Sequence, residues 1–302
     1  MKLRTKIIIE DLISPIPAIL AYDGTDRQQL LIRLISRHRE INAAHLLNRS
    51  VSKTVDRLLE PNWIASVRKF NRNEWYESAE KTYSDMTKLL GPQPAPSIIL
   101  YPSFGSMNGR VYRVAGKLVI GCSPDFPQTT GKNLNVLLAH EYAHFIRWKK
   151  IGLTQSMHRP LYVQLLEEGW AVWLSHQLLP KVSLSRIFMS NLHKSISMPD
   201  PKEGYLRWCR KNLLTIAYEA RKNISSKDKK VIGRFFQGQR FKGDKTPIRT
   251  GYYLGYKLVE MLAREMTPKQ LFELKLNHRK VSRWLDQLTK KLESMDKMSQ
   301  WI

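Results

Sequence analysis

Apolar positions in this chain recur mostly at helical spacing. The first stretch, residues 1–24, reads as an extended arm punctuated by Pro15 and Pro17, with one strand-sized run from Ile7 to Ile9. From Asp26 the pattern turns helical: Leu30, Leu31, Leu34 and Ile35, then Ala43, Leu46 and Leu47, with Val55 to Leu59 extending it. Pro61 interrupts, and Trp63, Ile64, Val67, Phe70, Trp75 and Tyr83 carry a second helical run to Leu90. Gly91-Pro-Gln-Pro-Ala-Pro96 is the strongest breaker in the chain and divides it into residues 1–92, a helical region, and residues 93–302. Short strand-like runs follow: Ser97 to Tyr101, Arg110 to Val114 and Lys117 to Gly121. Asn108-Gly109 and Ala115-Gly116 read as the turns between them, which predicts a small antiparallel sheet.

The rest of the pattern is helical. A buried helix runs through Asn135 to Trp148. Pro160 opens another that reaches about Leu179 before Pro180. Short helical pieces occupy residues 181–200, and an aromatic-rich helical stretch covers 203–222. Gly251 to Met266 is a helix rich in Tyr and Leu. Thr267-Pro268 reads as an N-cap and first helical position, and helix continues from there to the C-terminus. The expected class is therefore α+β, mainly helical.

Composition narrows the setting. At 302 residues with 42% hydrophobic positions, the chain can bury a sizeable core. No apolar run approaches the length of a membrane span, and Glu10, Asp11, Pro15 and Pro17 break the only leader-like segment. Cytoplasmic is the expected location. Cys122 and Cys209 are too few for a cysteine zinc ribbon and are expected as buried free thiols. The net charge of +24, from 50 Lys+Arg against 26 Asp+Glu, favours acidic partners such as nucleic acid or an anionic membrane surface. No block of five or six like charges occurs, so spread solvation is the plainer expectation.

Candidate chemistry centres on His140-Glu141-Tyr142-Ala143-His144, an H-E-x-x-H pentapeptide set among Val136, Leu137, Leu138, Phe145, Ile146 and Trp148. On a helix, residues four apart share a face, so His140 and His144 can offer imidazole nitrogens to one metal ion. Glu141 lies about 100° further round, which suits a base rather than a ligand. Burying two imidazoles and a carboxylate is costly unless they are paired or metal-bound. A catalytic zinc site needs a third protein ligand. A further His at the metzincin spacing is absent, because Arg147 and Lys150 stand where Gly and His are required. The candidates are Glu167 and Glu168, before a mid-helix Gly169 that calls for close packing, here expected against the H-E-x-x-H helix. The two glutamates point about 100° apart, so only one can bind.

His140-Glu141-x-x-His144 followed by Glu168-Gly169-x-Ala171 resembles the gluzincin metallopeptidases. With Arg249-Thr-Gly251-Tyr252-Tyr-Leu-Gly255-Tyr256 added, the chain is similar to the YjaZ-type family of zinc-dependent proteases over roughly residues 95 to 275. The resemblance implies a zincin-like core in residues 93–302, Zn²⁺ held by His140, His144 and Glu168, Glu141 as catalytic base, and a peptide or protein substrate. Val172 stands where thermolysin-like enzymes carry an Asp that orients a histidine, so that role falls elsewhere.

Tyr252 or Tyr256, four apart, can donate a hydrogen bond to a developing oxyanion, with Tyr252 the preferred catalytic candidate; packing is the competing role. If Tyr252 is a packing group, His158, His176 and Tyr253 are the other candidate donors; Arg249 can meet a substrate carboxylate, though one more ordinary surface Arg is the plainer expectation. Lys117 to Gly121 is the expected edge for an extended peptide. The alternative reading is a basic protein that binds nucleic acid or a membrane surface and carries a non-catalytic metal site.

Overall fold

The computed structural model describes residues 7–37, 41, 56, 60–68, 70–103, 108–124, 131–152, 159–191, 204–237 and 249–299. It is mainly helical with one small mixed sheet. The chain folds as two compact units, Met1–Gln155 and Ser156–Ile302.

The first unit holds the sheet. Its strands are β1 (Ile8–Asp11), β2 (Ser97–Leu100), β3 (Gly109–Val114) and β4 (Lys117–Cys122), in the order β1-β2-β4-β3. Two features depart from the expected antiparallel hairpins. β1 pairs parallel to β2 and β2 pairs parallel to β4; only β3 and β4 run antiparallel. Asn108-Gly109 is not a turn between paired strands either, because Gly109 already pairs with Cys122 as the first residue of β3. Lys117 to Gly121 is therefore an interior strand, and the edges are β1 and β3. Chain proximity suggested a β2–β3 hairpin, but the apolar β2 (Ile98, Ile99 and Leu100, all buried) takes an interior place where both its neighbours are parallel.

The Ala115-Gly116 turn forms as the sequence predicts. Both residues have positive φ, 46° and 78°, the backbone a two-residue hairpin needs to match strand twist. The arm is anchored to β2 through β1. Asp11 accepts hydrogen bonds from the Ile13 and Ser14 amides and faces Arg72 at 3.6 Å.

Helices α1 (Ile16–Ile19), α2 (Gly24–Ser36), α3 (Pro61–Arg68) and α4 (Arg72–Leu90) lead to the sheet, and α5 (Gly131–Ile151) follows it. The single helical run expected from Asn62 to Leu90 is two helices, because Asn71 caps the second by accepting from the Asn73 and Glu74 amides. Helix α5 packs against α4 and against β3 and β4. Residues 136 to 148 of α5 are buried on every side; Asn133 and Asn135 near its start and Ile151 at its end are half-buried, and Lys149 and Lys150 are exposed. The Tyr142 hydroxyl donates to the Pro94 carbonyl at 2.7 Å and fastens α5 to the proline-rich segment.

The second unit is helical: α6 (Leu161–Leu178), α7 (Leu184–Asn191), α8 (Tyr205–Lys211), α9 (Leu213–Lys222), α10 (Lys229–Ile232), a π-helical turn (Gly233–Gln237), α11 (Thr250–Leu262), α12 (Pro268–Glu273) and α13 (His278–Ser299). Thr267 closes a capping box with Gln270 at the start of α12, as the Thr-Pro pair predicts. The centre of the unit is the crossing of α6 and α11. A Cβ on Gly169 would lie 2.2 Å from the Gly255 carbonyl carbon and oxygen, and one on Gly255 would lie 2.1 Å from the Leu165 carbonyl oxygen. The close approach expected of Gly169 is thus real, but its partner is α11.

Both cysteines are free and buried. Among the described residues no helix is long and apolar enough to cross a membrane.

Candidate metal centre

Helix α5 positions three groups. Its burial removes His140, Glu141 and His144 from water almost completely, at 4%, 6% and 6% exposure. The four-residue spacing brings the two imidazoles together: His140 Nε2 and His144 Nε2 are 3.2 Å apart and the rings lie nearly perpendicular, at 83°. Two imidazoles bound to one tetrahedral zinc at about 2.05 Å have nitrogens about 3.3–3.4 Å apart. The pair is therefore close to the spacing a metal imposes. The Trp148 ring, one turn on, stands 5.6 Å from the His144 ring and walls that side of the pair.

Glu141 points towards the start of β3. A Cβ on Gly109 would lie 3.0 Å from Glu141 Cγ and 2.9 Å from Leu137 Cδ1. A larger residue would press on both side chains, so Gly109 borders the candidate site, and sequence reasoning missed it. It looked like turn punctuation beside Asn108, and no local pattern shows what faces a strand residue across a sheet–helix interface. The Glu141 charge is also felt by Cys122: burial pushes that thiol well up, and the carboxylate pushes it further.

Helix α6 carries the two acidic candidates. Glu167 is buried and Glu168 half-buried. One ligand atom from each of His140, His144 and Glu168 lies within 4.8 Å of the others, a group that could hold one metal ion; Glu167 does not belong to it. Two imidazoles and a carboxylate are a donor set zinc accepts, and leave room for a fourth ligand.

The tyrosine segment is the start of α11. Arg249, in the left-handed region at φ 67°, turns the chain into the helix, and its carbonyl accepts from the buried Tyr205 hydroxyl at 2.8 Å. Gly251 lets the π-helical turn approach: a Cβ there would meet the Phe236 ring at 2.6 Å. Phe236 then holds the half-buried Tyr252 ring edge to face, with centroids 5.5 Å apart. Tyr256 is engaged otherwise. Its hydroxyl donates to Glu260 at 3.1 Å and lies 3.1 Å from His176 Nδ1. Burial and the neighbouring Glu260 charge raise the Tyr256 phenol, while burial lowers the His176 imidazole against the opposing pull of Glu260. Tyr253 is buried against Phe188. His158 lies outside the described residues.

No family model, curated protein or solved structure matches the chain. What the site can do rests on its own residues.

Proposed function

We propose that this chain is a zinc-dependent peptidase in which His140, His144 and Glu168 hold the metal and Glu141 is the catalytic base. The observation that carries the reading is the His140–His144–Glu168 ligand group with a buried carboxylate next to it in sequence on the same helix. When bound, zinc supplies a Lewis acid that polarises the scissile carbonyl and acidifies the attacking water. Glu141 accepts the proton of that water and returns it to the leaving amine. Leu137 and Glu141 both face Gly109 at the start of β3, so the carboxylate sits at the helix–strand interface.

Substrate orientation follows from the sheet. Among the described residues the edge strand that packs on α5 is β3, whose first residue lies against Glu141. An extended peptide pairing along β3 has its backbone fixed by main-chain hydrogen bonds and runs past the base. Tyr252, whose ring packs edge to face on Phe236, is the oxyanion donor in this reading.

The deciding experiment pairs metal analysis with a peptide-library digest of wild type and Glu141→Gln. One equivalent of zinc is expected in both, with cleavage lowered about 10²–10⁴-fold in the variant, the range for losing a general base. Equal cleavage by both proteins would refute the mechanism, and a metal-free wild type would refute the site.

A further inference from the structure

The charge that the sequence scatters is gathered by the last helix. Arg279, Lys280, Arg283, Lys290 and Lys291 of α13 are all exposed. At 100° per residue they fall within a sector about 120° wide and run about 18 Å along the helix. Between Arg279 and Met295 the other residues in that sector are Gln287 and Ser294, both uncharged. The acidic residues nearest the sector lie just off its edge, in the seam between α13 and α9, and each is paired there. Asp286 is held by Arg221 through two hydrogen bonds, at 2.6 and 3.3 Å, and Glu293 accepts from the Tyr218 hydroxyl. The opposite side of α13, with Val281, Leu285 and Leu288, is buried in the core.

Two further features describe the face. It is wider than one helix, because α9 packs alongside α13 and adds exposed Lys222 and Tyr218. Neighbouring helix axes are about 8–10 Å apart, so the pair is about 20 Å across. The basic sector is also bordered by side chains with apolar bodies. Tyr218 is 45% exposed on one side; Met295, 58% exposed, and half-buried Trp284 lie on the other.

We propose that the α9–α13 face is a docking surface for an anionic lipid bilayer. Phosphate and carboxylate headgroups match the five cations, and a planar array of them accepts a face two helices wide. The major groove of duplex DNA, about 12 Å across, admits one helix. Tyr218, Trp284 and Met295 sit at the rim, where side chains with apolar bodies settle at headgroup depth. The apolar side of α13 is used by the core, so the chain lies on the bilayer without inserting the helix. This docking does not depend on the metal centre.

The test is co-sedimentation of the full chain with vesicles of phosphatidylcholine alone and of phosphatidylcholine with phosphatidylserine. Binding is expected only to the anionic vesicles and is expected to weaken as salt rises. The triple variant Arg279→Gln, Arg283→Gln, Lys290→Gln should lower the partition coefficient roughly 100-fold, since each cation near such a surface is worth about a factor of five. A control variant removes three exposed cations of the first unit, Arg33→Gln, Lys117→Gln and Lys149→Gln, and should bind as wild type. Matched thermal melts establish that both variants are folded. Equal loss in the control makes the effect one of total charge and overturns the proposal. So does binding to duplex DNA with none to anionic vesicles, or no vesicle binding at all.

Discussion

At the scale of single residues, identity and spacing decide the candidate site. His140 and His144 meet because a helix places residues four apart on one face, which lets their Nε2 atoms stand 3.2 Å apart. The two glutamates separate by the same geometry, since neighbours on a helix diverge by about 100°. Glu168→Ala is therefore expected to lose tightly held zinc after dialysis, while Glu167→Ala retains it. Metal content of the two purified variants checks this, and the reverse pattern moves the ligand by one position. Tyr252 calls for a kinetic test. Replacing its hydroxyl alone, Tyr252→Phe, should lower kcat about 10²–10³-fold with KM and Tm nearly unchanged, because the ring still packs on Phe236. A variant with full kcat makes the phenol a packing group. The pairing of His140 and His144 was legible because it is local to one helix. Gly109 was not, because what makes it glycine lies on another element, in the Leu137 and Glu141 side chains.

At the scale of elements, the chain states plainly where helix occurs, but not the breaks before Asn71 and after Glu273, and it states its sheet poorly. The Asn71 cap, the Thr267 capping box and the Ala115-Gly116 turn are signals carried within a few residues, and elements begin or turn at each of them. Strand order is a different kind of information. β1 and β2 are joined by parallel pairing across some ninety residues, and nothing local to Ile8–Asp11 or Ser97–Leu100 specifies the partner. Gly169 shows the same division. A mid-helix glycine announces close packing, yet which helix comes close is settled by Gly255, far along the chain. The consequence is measurable. Gly169→Ala places a methyl where backbone already stands, so α6 and α11 must separate, and destabilisation of about 3 kcal/mol or more is expected. Gly255→Ala should behave alike, for its Cβ meets the Leu165 carbonyl. Gly109→Ala meets only side chains and should be milder in stability. Chemical denaturation of the three variants checks the order, and a Gly169→Ala protein as stable as wild type removes the close crossing from the fold.

At the scale of the whole molecule, sequence gives the total charge and the cysteine count, and folding decides where each is presented. The +24 charge carries no block that a linear reading would single out, and it takes the 3.6-residue period of α13 to collect five cations on one side. The thiols show the converse, chemistry withdrawn rather than presented. Cys122 closes β4 in the first unit and Cys209 lies in α8 of the second, both fully buried. Burial raises both, Cys209 to about 12, and Cys122 is raised further by the Glu141 charge. Only the thiolate reacts with alkylating reagents, and an exposed cysteine titrates near 8.5. An exposed thiol would label faster as pH rises from 7 to 9. These two should show no such rise, because in the folded chain they remain neutral across that window as well as shielded. Labelling with iodoacetamide, located by peptide mass spectrometry, is expected to leave both unmodified in native buffer. Each should become reactive only at the denaturant concentration that opens its own unit. Rapid native labelling of Cys122 that climbs with pH would place that thiol in contact with solvent and remove it from the buried end of β4.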